Sequence, residues 1–137
     1  MDDFVRLHEL RQSGLCCAQA IMQLALECRG EEDPGLIRAL GGLCNGMGQG
    51  LVCGTLSGAA CMLSYFDAQA ARTEMIPRLT EWFKDAYGAN GINCNDILEG
   101  DHHNHIRVCP SLIDNVYREA KELLEEYGYD LPTPGDE

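Results

Sequence analysis

The sequence predicts an all-α fold: a compact bundle of about five to six helices, with a glycine-rich loop ahead of a central apolar helix. Three observations lead there. Apolar residues recur at three- and four-residue steps along most of the chain. No run alternates at period two for long enough to make a strand. Glycine and proline fall where the helical periods stop.

The clearest helix is Pro110–Tyr127. Leu112, Ile113, Val116, Ala120, Leu123, Leu124 and Tyr127 make one apolar face, and charged residues fill the other. Pro110 suits a first helical position and Gly128 the position past the end. Asp2–Gln12 is a short amphipathic helix through Phe4, Val5, Leu7 and Leu10, ended by Ser13-Gly14. Leu15–Cys28 follows, with Ala18, Ile21, Met22, Ala25 and Leu26 as its buried face. Pro34–Leu40 is brief and stops at Gly41-Gly42. Val52–Phe66 is apolar nearly all round and is expected at the centre. Thr73–Tyr87 is amphipathic, with Pro77 tolerable only near its start. Cys94–Leu98 makes one or two turns.

A chain of 137 residues with 45% hydrophobic content is expected to form one domain, here residues 1–128, with a frayed acidic tail at 129–137. The formal net charge is −12, so nucleic acid and anionic membranes are disfavoured as partners. The N-terminus lacks the basic and apolar regions of a signal peptide, and no apolar run reaches membrane length. A cytoplasmic location is the expectation. Eight cysteines in such a setting point to metal or thiol redox chemistry rather than structural disulfides.

Four cysteines share one kind of position. Cys17 lies in the first turn of its helix, Cys53 opens the central helix, Cys94 begins the short helix, and Cys109 stands at the N-cap before Pro110. Helix N-termini carry free N–H groups and the positive end of the dipole, which favour thiolates. Four such cysteines meeting in a bundle would make a site for a soft metal or an iron–sulfur cluster. The competing reading is a set of small buried hydrophobes. Cys28 and Cys61, inside apolar helices, fit that description. No CxxC pair is present, so zinc-ribbon and thioredoxin signatures are absent.

The stretch from Gly41 to Leu63 holds seven glycines and three cysteines. Gly41, Gly42, Gly46, Gly48 and Gly50 can wrap a tight loop whose N–H groups reach thiolate or sulfide. Gly42, Gly50 and Gly54 are the candidate cofactor-contacting glycines. Gly54 and Gly58 also form a small-residue ridge that lets another helix approach. A phosphate-binding loop is disfavoured, because the lysine of the P-loop pattern is missing.

At "SGLCCAQAI", then "VCGTLSGA", "INC" and "RVCP", the chain resembles the C-GCAxxG-C-C family of redox-active proteins, from about Ser13 to Leu124. Cys17-Ala18 matches the family's early Cys-Ala, Cys53-Gly54 with Gly58 its central box, and Cys94 and Cys109 its last two cysteines. The family's cysteine pattern is similar to the iron–sulfur portion of split-Soret cytochromes. The resemblance implies a redox-active helical module. Thr55 stands where the family has alanine, Cys53 precedes Gly54 where the family name writes glycine first, and Cys16 and Cys44 are additional thiols.

His102, His103 and His105 lie in a polar loop between Cys94 and Cys109 and read as solvated, with a mixed Cys/His site as the alternative. Trp82 and Tyr87 read as packing residues. Three functions follow from the sequence. The first is a [2Fe–2S] electron-transfer module, with Cys17, Cys53, Cys94 and Cys109 as ligands and a protein redox partner, rather than a stand-alone enzyme. The second is metal-free thiol–disulfide redox, with Cys16–Cys17 or Cys44–Cys53 as candidate partners. The third is a structural Zn site. The small-residue surface could equally serve a homodimer.

Overall fold

The computed structural model describes residues 2–132 and is all-α, as the periodicity predicts. Five helices of ten residues or more build the bundle: α1 (Asp3–Gln12), α2 (Cys17–Cys28), α4 (Gly54–Phe66), α6 (Ile76–Tyr87) and α8 (His105–Glu126). Shorter α3 (Pro34–Leu40), α5 (Ala68–Ala70) and α7 (Cys94–Ile97) connect them. Side-chain caps set several starts. Asp2 accepts from the Val5 amide at 2.8 Å, Asp33 from Leu36 at 3.1 Å, and Asp67 from Ala70 at 3.1 Å.

α4 lies in the middle, as its all-round apolar character requires, but α2 shares that place. Ala18, Ala20, Ile21, Met22, Leu24, Ala25 and Leu26 are all fully buried, which leaves α2 only a narrow half-buried polar stripe of Gln19, Gln23 and Glu27. The two helices touch at a pair of small residues. A methyl group placed on Gly58 would lie 2.7 Å from the Cα of Ala18, so only glycine permits this approach. α1, α6 and α8 close around the pair and contribute Leu7, Leu79, Phe83, Leu112, Val116, Tyr117 and Leu124 to the same core. Arg6 clamps α1 onto α2 with two bonds to the Glu27 carboxylate, 2.7 and 2.8 Å long.

Three boundaries differ from those the sequence suggests. The last helix starts at His105, not Pro110, so Cys109 lies in its second turn and is not an N-cap. A proline this near a helix start removes one N–H bond, and the carbonyl it would have served belongs to Ile106, which is 73% exposed and open to water. α4 starts at Gly54, because Val52 is drawn into an isolated antiparallel bridge with Asn93. The run read as Thr73–Tyr87 is already helical from Ala68. It passes through a wide turn at Ala71–Met75 just before Pro77, whose missing N–H suits such a widening.

Past Gly128 the chain, read from sequence as a frayed tail, places Leu131 wholly inside the core and Tyr129 against Asp67 at 3.0 Å. Residues 133–137 of that tail lie outside the described residues. Among the described residues, no helix is long and apolar enough to cross a membrane.

Candidate functional site

The glycine-rich stretch opens with a turn of 3-10 helix at Gly41–Leu43 and then bends back on itself at Gly46–Gly50. Asn45, Gly46, Met47, Gly48 and Gly50 all have positive φ. The bend delivers Leu51 and Val52 to the segment ahead of α7. The Cys94 amide donates to Leu51 O at 2.7 Å, and the Cys53 amide donates to Ile92 O at 3.0 Å. This short pairing sets Cys53 and Cys94 side by side. Gly50 packs directly on the Asn95 side chain, which anchors the loop to α7.

Cys17 comes to the same place from α2. A methyl on Gly54 would lie 3.1 Å from the Cys17 sulfur, 2.7 Å from Leu43 O and 3.3 Å from the Cys44 Cα. Gly54 is thus the point where α2, the glycine loop and α4 converge. Gly42, by contrast, is exposed with open space beside it. Cys109 approaches from α8.

The four thiols feel one another. The Cys53 thiol donates a hydrogen bond to Cys94, and this, with burial, pushes Cys53 up. The same bond pulls Cys94 down to about 7, with further help from the Gly54 amide and against partial burial. Burial raises Cys17, opposed by hydrogen bonds from the Thr55 hydroxyl and the Ala18 amide. Burial, and then the charges of Cys17 and Cys53, push Cys109 up to about 11. Arg11 favours the charged forms of both Cys17 and Cys109. The thiols are near enough to influence each other, yet among the described residues no three His, Cys, Asp or Glu side chains surround a single point as one metal ion would require.

Thr55, only 1% exposed, is the residue sequence reading passes over. It looks like a small change at a helix start, and its hydroxyl proves to serve Cys17. Arg11 is equally unmarked, since nothing local ties it to the thiols, and for Asn95, next to Cys94, the contact with Gly50 is what sequence does not show. Cys16 and Cys44, the two additional cysteines, are bonded to each other as a disulfide with Cα atoms 6.0 Å apart. The pairings Cys16–Cys17 and Cys44–Cys53 are therefore not those formed. Cys16 caps α2 from outside while Cys17 enters its first turn, so the neighbours point apart. Cys28 is a buried residue 3.4 Å from the Tyr117 hydroxyl, and Cys61 is half-buried in α4. His103 is exposed beside Asp101, and the side chains of His102 and His105 lie outside the described residues. Trp82 and Tyr87 pack edge to face, with centroids 6.1 Å apart. Leu43, Met47, Leu51, Val52, Ser57 and Asn93 border a cavity of about 360 Å³.

The structure is thus an all-α bundle that brings thiols from separate elements together. The chain is a member of the family described as "Putative redox-active protein (C_GCAxxG_C_C)", whose model matches residues 15–123. Comparison with curated proteins and with solved structures gives no match.

Proposed function

We propose that Cys17, Cys53, Cys94 and Cys109 bind an iron–sulfur cluster, most simply [2Fe–2S], and that the protein transfers electrons to or from a protein partner. The observation that carries this reading is the convergence of thiol-bearing elements: α2 brings the Cys17 sulfur against Gly54 at the start of α4, and paired backbone bonds set Cys53 beside Cys94. Soft thiolates suit iron and sulfide. A single ion draws its thiolates to about 2.3 Å from one point, whereas a cluster spreads them over several irons. A bound cluster would supply one-electron transfer. The chain's own residues supply the ligands, a half-buried setting, and donors that tune the potential: the Gly54 amide at Cys94 and the Thr55 hydroxyl at Cys17.

Metal-free thiol redox is the second reading, and the backbone pairing that sets Cys53 beside Cys94 favours it, since an attacking and a resolving cysteine must be neighbours.

The deciding experiment measures iron and acid-labile sulfide, with a visible spectrum, on protein purified without oxygen. Iron and sulfide in matching amounts, with bands that bleach on reduction and vanish in each of the four Cys→Ser variants, are expected. Zinc, or no metal after attempted reconstitution, would overturn the cluster reading.

A further inference from the structure

We infer that Cys16 and Cys44 form a second redox centre, an exchangeable dithiol–disulfide couple whose substrate class is dithiols and whose oxidised form fastens the glycine loop to the N-terminus of α2. The centre lies outside the four-thiol set and stands whether or not that set binds a cluster.

Four observations support it. The two cysteines are 28 residues apart in sequence yet bonded, with a Cα separation of 6.0 Å, well within the range a disulfide spans. Neither is buried; both are half-exposed, within reach of a reductant. The bond is the covalent link between α2 and a loop with a run of left-handed residues, Asn45 to Gly48. Its other ties are at its far end: the Cys94 amide to Leu51 O, the Cys53 amide to Ile92 O, the Val52–Asn93 bridge, and Gly50 on Asn95. Finally, the bond borders the four-thiol site. Cys16 precedes Cys17, and the Cys44 Cα and the Cys17 sulfur press on the same face of Gly54. Opening the bond would remove the covalent tie between the N-terminus of α2 and the loop beside the four-thiol site.

The chemistry balances without any other reagent. A thiolate of the dithiol attacks one sulfur of the Cys16–Cys44 bond. That bond breaks, and a mixed disulfide forms. The dithiol's second thiolate then displaces the protein sulfur and closes its own disulfide. The protein gains two electrons and takes up the two protons the dithiol gives up. Run in reverse, the bond oxidises a reduced dithiol partner.

The test equilibrates the folded, full-length protein in buffers of reduced and oxidised dithiothreitol, then alkylates it and reads each cysteine by mass spectrometry. In oxidised buffer Cys16 and Cys44 should carry no label. In reduced buffer both should gain one, together, and lose it again on return. Cys16→Ser should leave Cys44 labelled in either buffer. Label on both residues regardless of buffer would show that no bond forms. Label appearing only after denaturant would make the bond a static brace. Either result overturns the inference. So would loss of iron, sulfide or zinc in the Cys16→Ser or Cys44→Ser protein, since it would assign these residues to the metal site. Absence of metal from the unmodified protein would defeat the cluster reading alone and leave the couple intact.

Discussion

The buried hydroxyl of Thr55, at the junction of α4 and α2, favours the charged form of Cys17. A hydrogen bond donated to a thiolate favours the charged form. Thr55→Val, which keeps the shape and removes the donor, should raise the Cys17 pKa and slow its alkylation at fixed pH. Thr55→Ser should restore the rate. Equal rates in all three proteins would show that the hydroxyl does not act on Cys17.

Gly58 and Gly54 should respond differently to an added methyl. Gly58→Ala forces α2 and α4 apart at Ala18 and should cost about 1–3 kcal/mol in denaturant unfolding, as overpacking does. Thiol reactivity should stay as it was. Gly54→Ala presses on Leu43 O and the Cys17 sulfur and should change the alkylation pattern of Cys17 as well as stability.

The thiols set the pH response of the metal-free protein. Cys94, held down at about 7, adds stability above the ordinary thiol pKa and loses it as pH falls through 7. Cys109, held up at about 11, works the other way. The unfolded chain ionises near the ordinary value and the folded one later, so stability falls as pH rises from about 9 to about 11. Melting temperature against pH should therefore decline on the alkaline side, and Cys109→Ala should flatten that decline. An unchanged profile would show that Cys109 is not held neutral.

The Cys16–Cys44 bond closes a loop long enough to stabilise the fold by about 3–4 kcal/mol through the unfolded chain. Cys16→Ser, Cys44→Ser and the double variant should lose the same amount relative to the oxidised protein. Unequal losses would mean that one of the two cysteines contributes some other interaction.

Leu131 is fully buried. Leu131→Ala should destabilise the protein by about 2–4 kcal/mol, and truncation after Gly128 should do at least as much. A truncated protein as stable as the full chain would show that the segment contributes no packing.

Much of the fold was legible because helical periodicity is a local property. Leu112 through Tyr127 announce their face without reference to the rest of the chain, and so do the glycines that end α1 and α3. The candidate ligands were legible for a similar reason: Cys17, Cys53 and Cys94 stand beside helix starts that the sequence marks. Cys109 misled, because Pro110 has the same signature at a first position as in a second turn whose freed carbonyl faces water. In α2 the predicted face of Ala18, Ile21, Met22, Ala25 and Leu26 is buried as expected, and packing extends the burial to Ala20 and Leu24, leaving Gln19, Gln23 and Glu27 as the half-buried stripe.

The sequence by itself determined the helical class, the small-residue contact at Gly58 and the thiols available for chemistry, since period, residue size and residue type are written along the chain. Only the tertiary structure decided which groups meet. The Val52–Asn93 bridge that sets Cys53 beside Cys94, the hydroxyl of Thr55 at Cys17, the charge of Arg11 near Cys17 and Cys109, and the choice of Cys44 as the partner of Cys16 all join residues distant in sequence. Such contacts depend on how the helices pack, and helix packing is settled by the whole core at once.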